Sequence, residues 1–132
     1  CNYLRKDGDK NRVTVLSEPA AGAKKAQTAY RTLFHENGLS LLEITLLTGR
    51  SHQIRAQFAH AGTPLLGDDK YGDRLLNRRY DMHMQALYAY RLGFPVLPEE
   101  HFFHYLSGRI FSVSSVPFCR LFSGYKGGDI HA

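Results

Sequence analysis

The sequence predicts an α+β fold, with a mixed, mainly antiparallel sheet and one principal helix. Three observations support this. Short runs of alternating apolar and polar residues are separated by Gly, Pro and Asn turns. A single central segment carries apolar residues at helical spacing. The 132 residues, 43% hydrophobic and 22% charged, have the length and composition of one globular domain rather than of a disordered chain.

The first half of the chain is predicted to be mostly strands. Residues 11–16 (NRVTVL) form a short strand candidate, residues 17–25 a loop, and residues 26–34 an alternating strand. Asn37-Gly38 then predicts a hairpin turn into a strand at 39–47. Because apolar residues occur on both faces of that strand, we expect it to be central in the sheet and covered on both sides.

The principal helix is predicted to follow Thr48-Gly49 and to run to about Ala61. Ile54, Phe58 and Ala61 fall at i, i+4 and i+7, which predicts a core-facing stripe. Gly62 is a suitable residue to end the helix.

The second half of the chain gives weaker signals. Residues 71–83 are polar and read as irregular, whereas residues 86–94 form a strand candidate. Residues 101–106 and 109–115 are predicted to pair as a last hairpin, and residues 123–132 to form a flexible tail.

Charge and cysteine content limit the class of protein. Seventeen Lys and Arg against twelve Asp and Glu give a net charge of +5. This favours an anionic partner such as nucleic acid, although a basic protein without such a partner stays an alternative. Two distant cysteines, Cys1 and Cys119, fit a reduced, cytoplasmic compartment. No signal peptide or membrane-length apolar run is visible, so no membrane partner is expected.

The predicted helix start concentrates positive charge. Arg50, His52 and Arg55 lie within six residues at a helix end that already carries partial positive charge. Ile54 and Phe58 flank Arg55, so we expect the stem of Arg55 to be partly buried and its guanidinium to need a carboxylate or phosphate partner. The alternative is a solvated polar helix face.

Other candidate chemistries are weaker. His52 and His60 lie about two helical turns apart, too far for one metal site on one helix, and no HExxH or CxxC pattern is present; no metal site is predicted. Asp68 and Asp69 could act as an acid and a base, but capping of local backbone N–H groups is favoured. Cys119 has no histidine nearby in sequence, so a neutral thiol is favoured over a nucleophile.

Together these residues form a known pattern. Residues 41–72 read LLEITLLTGRSHQIRAQFAHAGTPLLGDDKYG and closely resemble the hallmark segment of the large-subunit (RluA-type) family of RNA pseudouridine synthases. That family has L-x-T-G-R-x-H-Q-I-R, a helix, and G-x-P-I-x-G-D-x-x-Y-G, which match residues 46–55 and 62–72. Upstream, residues 22–33 (GAKKAQTAYRTL) resemble its G-K-x-A-x-T-x-Y segment.

Downstream, residues 86–94 (ALYAYRLGF) resemble the family's L-H-A-x-x-L-x-F strand. Tyr88 stands where that strand usually has a histidine, so a role for the histidine does not carry over.

The resemblance implies a reaction and part of a catalytic fold. The family isomerises uridine in structured RNA to pseudouridine: the uracil leaves C1′, turns, and is rejoined through carbon, without cofactor or metal. Its nucleophile is an Asp in an R-L-D-x-x-x-S/T-G motif, and a Tyr from a K-x-Y strand stacks on the target base. The Arg of the H-Q-I-R segment pairs with the Asp, which assigns a catalytic role to Arg55.

Neither the R-L-D motif nor the K-x-Y strand occurs in these 132 residues. Both precede this region in the family order. We therefore expect residues 1–132 to be the C-terminal portion of a pseudouridine synthase catalytic domain, inactive alone and prone to self-association. The alternatives are a non-enzymatic RNA-binding remnant and a structural domain without an RNA role; an R-L-D motif upstream of Cys1 in the reading frame would favour the enzyme.

The expected partner is RNA, ribosomal or transfer. Its phosphates are expected to meet a set of cationic and polar side chains: Arg50, His52, Lys70, Arg74, Arg78 and Arg79.

Overall fold

The structure, a computed structural model, describes residues 1–126. These residues belong to two compact units, Cys1–Leu87 and a second one that begins at Tyr88. Most of the predicted flexible tail, residues 127–132, lies outside the described residues.

The first unit opens with a three-stranded antiparallel sheet. Strands β1 (Asn2–Asp7), β2 (Arg12–Leu16) and β3 (Ala23–Ala26) are arranged in the order β2-β1-β3. Strand β2 confirms the candidate at 11–16, whereas β3 corrects part of the predicted loop and β1 was not predicted. Because AKKA has little intrinsic strand preference, its extended form depends on pairing with β1.

A two-stranded hairpin follows. Strands β4 (Thr28–Glu36) and β5 (Leu39–Leu46) pair antiparallel, and the left-handed Asn37 and Gly38 (φ 52° and 77°) confirm the predicted turn. The prediction that β5 is central is wrong for the described residues: β5 pairs with β4 alone, and Leu41 is its one buried residue. Apolar residues on both faces of a strand therefore do not by themselves show that it has two neighbours.

The principal helix is confirmed but its buried face is different. Helix α1 runs Gln53–His60, and Gly62 follows it with a φ of 79°. Gln53 and Ala56 are its buried residues, so the stripe predicted at Ile54, Phe58 and Ala61 is wrong.

The core explains that orientation. Ala56 packs with Leu4, Val13 and Ala26, and Ala26 is completely buried. The helix therefore packs on the first sheet through its small Ala56, whereas Phe58 contacts Tyr30 of β4.

A second helix occupies the segment expected to be irregular. Helix α2 (Arg74–Arg79) begins after Asp73, whose carboxylate accepts hydrogen bonds from the backbone N–H groups of Leu75 (2.8 Å) and Leu76 (3.1 Å). Asp73 is therefore the N-cap of α2. The helix has only six residues, too few for a helical repeat of apolar residues to be recognised in the sequence.

The second unit contains one small hairpin. Strands β6 (Arg91–Gly93) and β7 (Ile110–Ser112) pair antiparallel. The strand expected at 86–94 is thus only three residues long, and the predicted pairing of 101–106 with 109–115 is wrong. His104–Leu106 instead form a short 3₁₀ helix, which the local sequence HFFHYL does not distinguish from a strand.

The α+β class with antiparallel pairing is confirmed, but residues 1–126 form three separate small sheets rather than one mixed sheet, and no parallel pair occurs among them. Several large apolar side chains are exposed, including Leu47 and Phe102, and the expected self-association stays a prediction. Among the described helices, none has the length and apolar character required to span a bilayer.

Gly67 offers a sharp test of the loop that follows α1. Gly67 and Gly62 both have a φ near +78°, but only a Cβ on Gly67 would collide with the backbone carbonyl of Met84. We expect Gly67→Ala to cost roughly 2–4 kcal/mol of unfolding free energy, against about 1 kcal/mol for Gly62→Ala, which carries the φ penalty alone. Denaturant titration measures both; equal losses would show that the backbone at Gly67 adapts without strain.

Candidate functional site

Gln53 organises the start of α1. Its side-chain oxygen accepts hydrogen bonds from the Thr48 hydroxyl (2.8 Å) and the Arg50 N–H (3.0 Å). Its side-chain nitrogen donates to the Gln27 carbonyl (3.0 Å) and the Thr28 hydroxyl (2.8 Å). The buried amide is therefore fully satisfied, and it fixes the loop that carries Arg50 against the start of β4.

His52 adopts an uncommon backbone conformation at the N-cap of α1. Its φ of 51° lies in the left-handed region, and its side chain forms no capping hydrogen bond. Such a conformation costs on the order of 1 kcal/mol for a residue with a Cβ. The ring instead contacts Tyr71, with 2.9 Å between Nδ1 and the Tyr71 hydroxyl oxygen.

The Tyr71 hydroxyl assigns the tautomer of His52. This oxygen accepts a hydrogen bond from the Val13 N–H at 2.8 Å. Nδ1 of His52 is an acceptor within reach of the hydroxyl proton, so we expect Tyr71 to donate to Nδ1. This assignment predicts a neutral His52 ring that carries its proton on Nε2.

The surroundings of His52 keep it neutral. Burial lowers the pKa of its imidazole, and the positive charges of Arg55, Lys70 and Lys6 lower it further, opposed by Asp68. The neutral ring thus persists to a lower pH than is usual for histidine.

Arg55 and Asp68 form a two-pronged ion pair. Nε of Arg55 donates to Oδ2 and Nη2 donates to Oδ1 of Asp68, both at 2.8 Å. Asp68 is only 1% exposed, and its Oδ1 also accepts from the backbone N–H groups of Lys70 (2.9 Å) and Tyr71 (3.0 Å). The pair therefore joins α1 to the loop before α2, and Asp68 caps local backbone as the sequence favoured.

The two pKa values reflect this pairing. Burial by itself would raise the pKa of Asp68, but hydrogen bonds from Arg55 and from the backbone of Tyr71 and Lys70 outweigh it and hold the pKa below its ordinary range. The hydrogen bond to Asp68 raises the pKa of Arg55. Both groups are therefore charged at neutral pH.

Arg55 retains donors beyond those used by Asp68. A guanidinium carries five N–H groups, and the two prongs to Asp68 use two of them. The carboxylate of exposed Asp69 lies 3.7 Å from Nη2, and the Arg55 side chain is 15% exposed. The guanidiniums of Arg55 and Arg12 lie 5.4 and 5.3 Å from the centre of the Tyr71 ring. Arg55 is thus held in place by Asp68, with the exposed carboxylate of Asp69 nearby and with N–H groups that donate no hydrogen bond within the described residues.

The other residues expected to bind RNA have different neighbours. Nε of Arg50 donates to the Lys25 carbonyl (3.1 Å), and Nζ of Lys70 donates to the Asn11 carbonyl (2.8 Å). The remaining three lie exposed on α2: Arg74, Arg78 and Arg79. Their arrangement on one shared face stays a prediction.

The sequence missed three contributors to this site. Tyr71 and Gln53 were visible only as letters of the matching pattern, and Arg12 belongs to a strand distant in sequence. Their roles arise from contacts across 58 residues for Tyr71 with Val13 and 26 residues for Gln53 with Gln27. Local periodicity cannot reveal such contacts.

Two alternative chemistries find no support in the described residues. No group of three metal-ligating His, Cys, Asp or Glu side chains occurs in residues 1–126. Burial raises the pKa of the Cys119 thiol, which favours the neutral form over a reactive thiolate.

The assigned state of His52 can be checked by nitrogen-detected NMR across a pH titration. We expect a neutral ring protonated on Nε2, with a pKa below 6.5. Tyr71→Phe removes the hydroxyl that selects the tautomer, so the Nε2-protonated form should lose its dominance. Tyr80→Phe, a matched loss of one hydroxyl at the residue after α2, should leave His52 unchanged. An Nδ1-protonated ring in the parent protein would contradict the assignment.

Known proteins share this sequence pattern. Residues 2–60 match the family described as RNA pseudouridylate synthase. An RNA pseudouridine synthase of Mycoplasma genitalium is 38% identical over 103 residues, covering 76% of this chain and 32% of the relative. Ribosomal large subunit pseudouridine synthase D of Vibrio cholerae is 40% identical over 103 residues, 69% of this chain and 32% of the relative.

A rice protein, RNA pseudouridine synthase 3, mitochondrial, is 47% identical over 73 residues, 52% of this chain and 15% of the relative. The chain thus spans about a third or less of the length of these three relatives. The family match over residues 2–60 includes the segment that carries Arg50, His52 and Arg55. The chain belongs to the RNA pseudouridine synthase family.

Proposed function

We propose that this chain is the C-terminal portion of a catalytic domain that isomerises uridine to pseudouridine in structured RNA. The observation that carries the proposal is Arg55, which lies in the family's H-Q-I-R segment and is oriented by buried Asp68 with donors to spare. Ribosomal or transfer RNA is the proposed substrate class. The name of the Vibrio cholerae relative, which refers to the ribosomal large subunit, supports the ribosomal option.

Arg55 has a definable task in that reaction. An Asp that attacks C1′ must be ionised and must keep its position close to the sugar. The free edge of the Arg55 guanidinium supplies a charge-assisted hydrogen bond to such a carboxylate and lowers its pKa. Asp68 acts as a positioning residue in this proposal, because its two-pronged contact decides which edge of Arg55 stays free.

The basic side chains around Arg55 would hold the RNA backbone. Arg50, Lys70 and the exposed arginines of α2 present cations with which phosphates can pair. His52 contributes an uncharged Nε2–H donor rather than a charge. Binding through such contacts should be weak for one domain and should decrease steeply with salt.

A non-enzymatic RNA-binding role is the second candidate. The absence of an R-L-D motif from these 132 residues is the observation that favours it. The two candidates share the basic surface and differ in the nucleophile, so an R-L-D motif upstream of Cys1 in the same reading frame would decide for the enzyme. The 132-residue chain by itself should produce no pseudouridine when carbodiimide labelling is applied to uridine-rich transcripts.

Arg55→Ala tests the catalytic proposal in the product of the complete reading frame. Losing the charge-assisted bond to the nucleophilic Asp should cost about 2–4 kcal/mol, or roughly 30-fold to 1000-fold in single-turnover rate. Arg55→Lys keeps the charge but loses the two-pronged geometry, so it should restore the rate only in part. The rate is measured at saturating enzyme on a target RNA.

Arg31→Ala is the matched control, since Arg31 pairs with Glu43 on the β4–β5 hairpin, apart from the proposed site. It should react like the parent. Because Arg55→Ala also leaves buried Asp68 without its partner, the folded fraction of each variant is measured by denaturant unfolding and the rates are corrected for it. A corrected Arg55→Ala rate within about threefold of the parent would remove Arg55 from the reaction.

A further inference from the structure

A small basic pocket lies beside the start of α1, in the first unit. It has a volume of about 220 Å³. Leu4 and Val13, two buried core residues, contribute apolar lining. Its charged lining consists of Lys6, Lys24 and Arg50.

The register of the first sheet explains why these residues converge. Lys24 lies directly opposite Leu4 in the β1–β3 pair, and Lys6 lies opposite Val13 in the β1–β2 pair. Because side chains alternate along a strand, Leu4 and Lys6 share one face of β1. This is the face that packs against Ala56 of α1. The two lysines therefore lie on the same face of the sheet as the core residues, but beyond the part of that face that is buried.

Arg50 completes the pocket from the other side. The backbone N–H of Arg50 donates to the side-chain oxygen of Gln53, and its Nε donates to the Lys25 carbonyl. These two hydrogen bonds position the guanidinium at the pocket. The loop of Gly49 and Ser51, which also lines the pocket, leads into the positive end of α1.

The charges of the pocket are unbalanced. No Asp or Glu is part of its lining. Within residues 1–126 neither Lys6 nor Lys24 forms a salt bridge, and the positive charge of Lys6 also contributes to the lowered pKa of His52. Three cations around one pocket without a counter-charge repel one another, and an anion bound between them would relieve that repulsion.

We propose that this pocket binds a backbone phosphate of RNA, with Lys6 and Lys24 as ligands beside Arg50. The inference deepens the proposed function and rests on it. The pocket is smaller than the 300–1,000 Å³ common for cofactor and drug-sized sites, so it suits a phosphate group rather than a whole nucleotide cofactor. The apolar lining from Leu4 and Val13 suits the carbon face of an adjoining ribose.

The same two strands provide a matched pair of variants. Lys6→Gln with Lys24→Gln removes two charges from the pocket face of β1 and β3. Arg5→Gln with Lys25→Gln removes two charges from the opposite face of the same strands. Both double variants have the same net charge, and all four residues are exposed, so neither should disturb the core.

Inorganic phosphate tests the pocket without RNA. In the parent chain, phosphate should cause saturable shifts of the backbone amide signals of Lys6, Lys24, Gly49 and Ser51 at constant ionic strength. The pocket variant should lose the saturable shifts of Gly49 and Ser51, and the opposite-face variant should keep them. Absence of saturable shifts in the parent, or equal loss in both variants, would overturn the pocket as a phosphate site.

RNA tests the source of the phosphate. For an RNA hairpin, a plot of log K against log salt has a negative slope. In the pocket variant this slope should become shallower by about 0.7–0.9, the contribution of one phosphate contact, and in the opposite-face variant it should stay unchanged. Equal slopes in both variants would overturn the assignment to RNA even if phosphate alone binds. If the parent binds RNA and the two variants have equal slopes, only the phosphate-pocket inference fails. If the parent binds phosphate but no RNA at low salt, both the inference and the proposed function fail.

Discussion

The buried carboxylate of Asp68 is the constraint on which the arrangement of this site depends. An ionised group that is 1% exposed must be paired and fully hydrogen-bonded, since an unpaired buried charge costs several kcal/mol. Arg55 supplies two hydrogen bonds to Asp68, and the backbone of Lys70 and Tyr71 supplies two more. The loop of Asp68 is thereby fixed to α1 across 13 residues of sequence.

Further contacts follow from that fixed loop. Tyr71 lies three residues after Asp68, and its hydroxyl connects β2, through the Val13 N–H, with the ring of His52. Gly67 and Gly72 leave no room for a Cβ, because Met84 and Asp68 backbone atoms approach them closely. A sequence pattern with Gly, Asp, Tyr and Gly at fixed spacing is thus explained by one ion pair, one hydroxyl and two close backbone approaches. The functional role proposed for Arg55 uses the donors that this arrangement leaves free.

The sequence predicts those features that depend on residues close together along the chain. The Asn37-Gly38 turn and the existence of α1 depend on adjacent residues, and both were predicted. The buried face of α1 was not, because two of the four hydrogen bonds that satisfy buried Gln53 are made to Gln27 and Thr28, whose position depends on the fold. The sequence of β3 alone predicts a loop, because the extended form of this segment depends on pairing with β1.

Arg55 and its partner show the same difference between local and distant interactions. Spacing beside Ile54 and Phe58 indicated that Arg55 needs an anionic partner, and the family resemblance indicated a nucleophilic Asp. For Asp68 the sequence indicates only an acid, a base or a backbone cap, whereas in the structure this residue is also the partner of Arg55. Nothing in the local sequence placed it opposite Arg55, since the contact depends on how the chain turns after Gly62.

A double-mutant cycle between Arg55 and Asp68 tests the central claim most directly. Unfolding free energies are measured by denaturant titration for the parent, Arg55→Ala, Asp68→Ala and the double variant. The account predicts a coupling energy of about 2 kcal/mol or more at pH 7. Because the folded pKa of Asp68 lies below its ordinary 3.8, the coupling should persist at pH 4 and decrease only as the pH falls further. A coupling below about 0.5 kcal/mol at pH 7 would contradict the claim that this pair holds the site together.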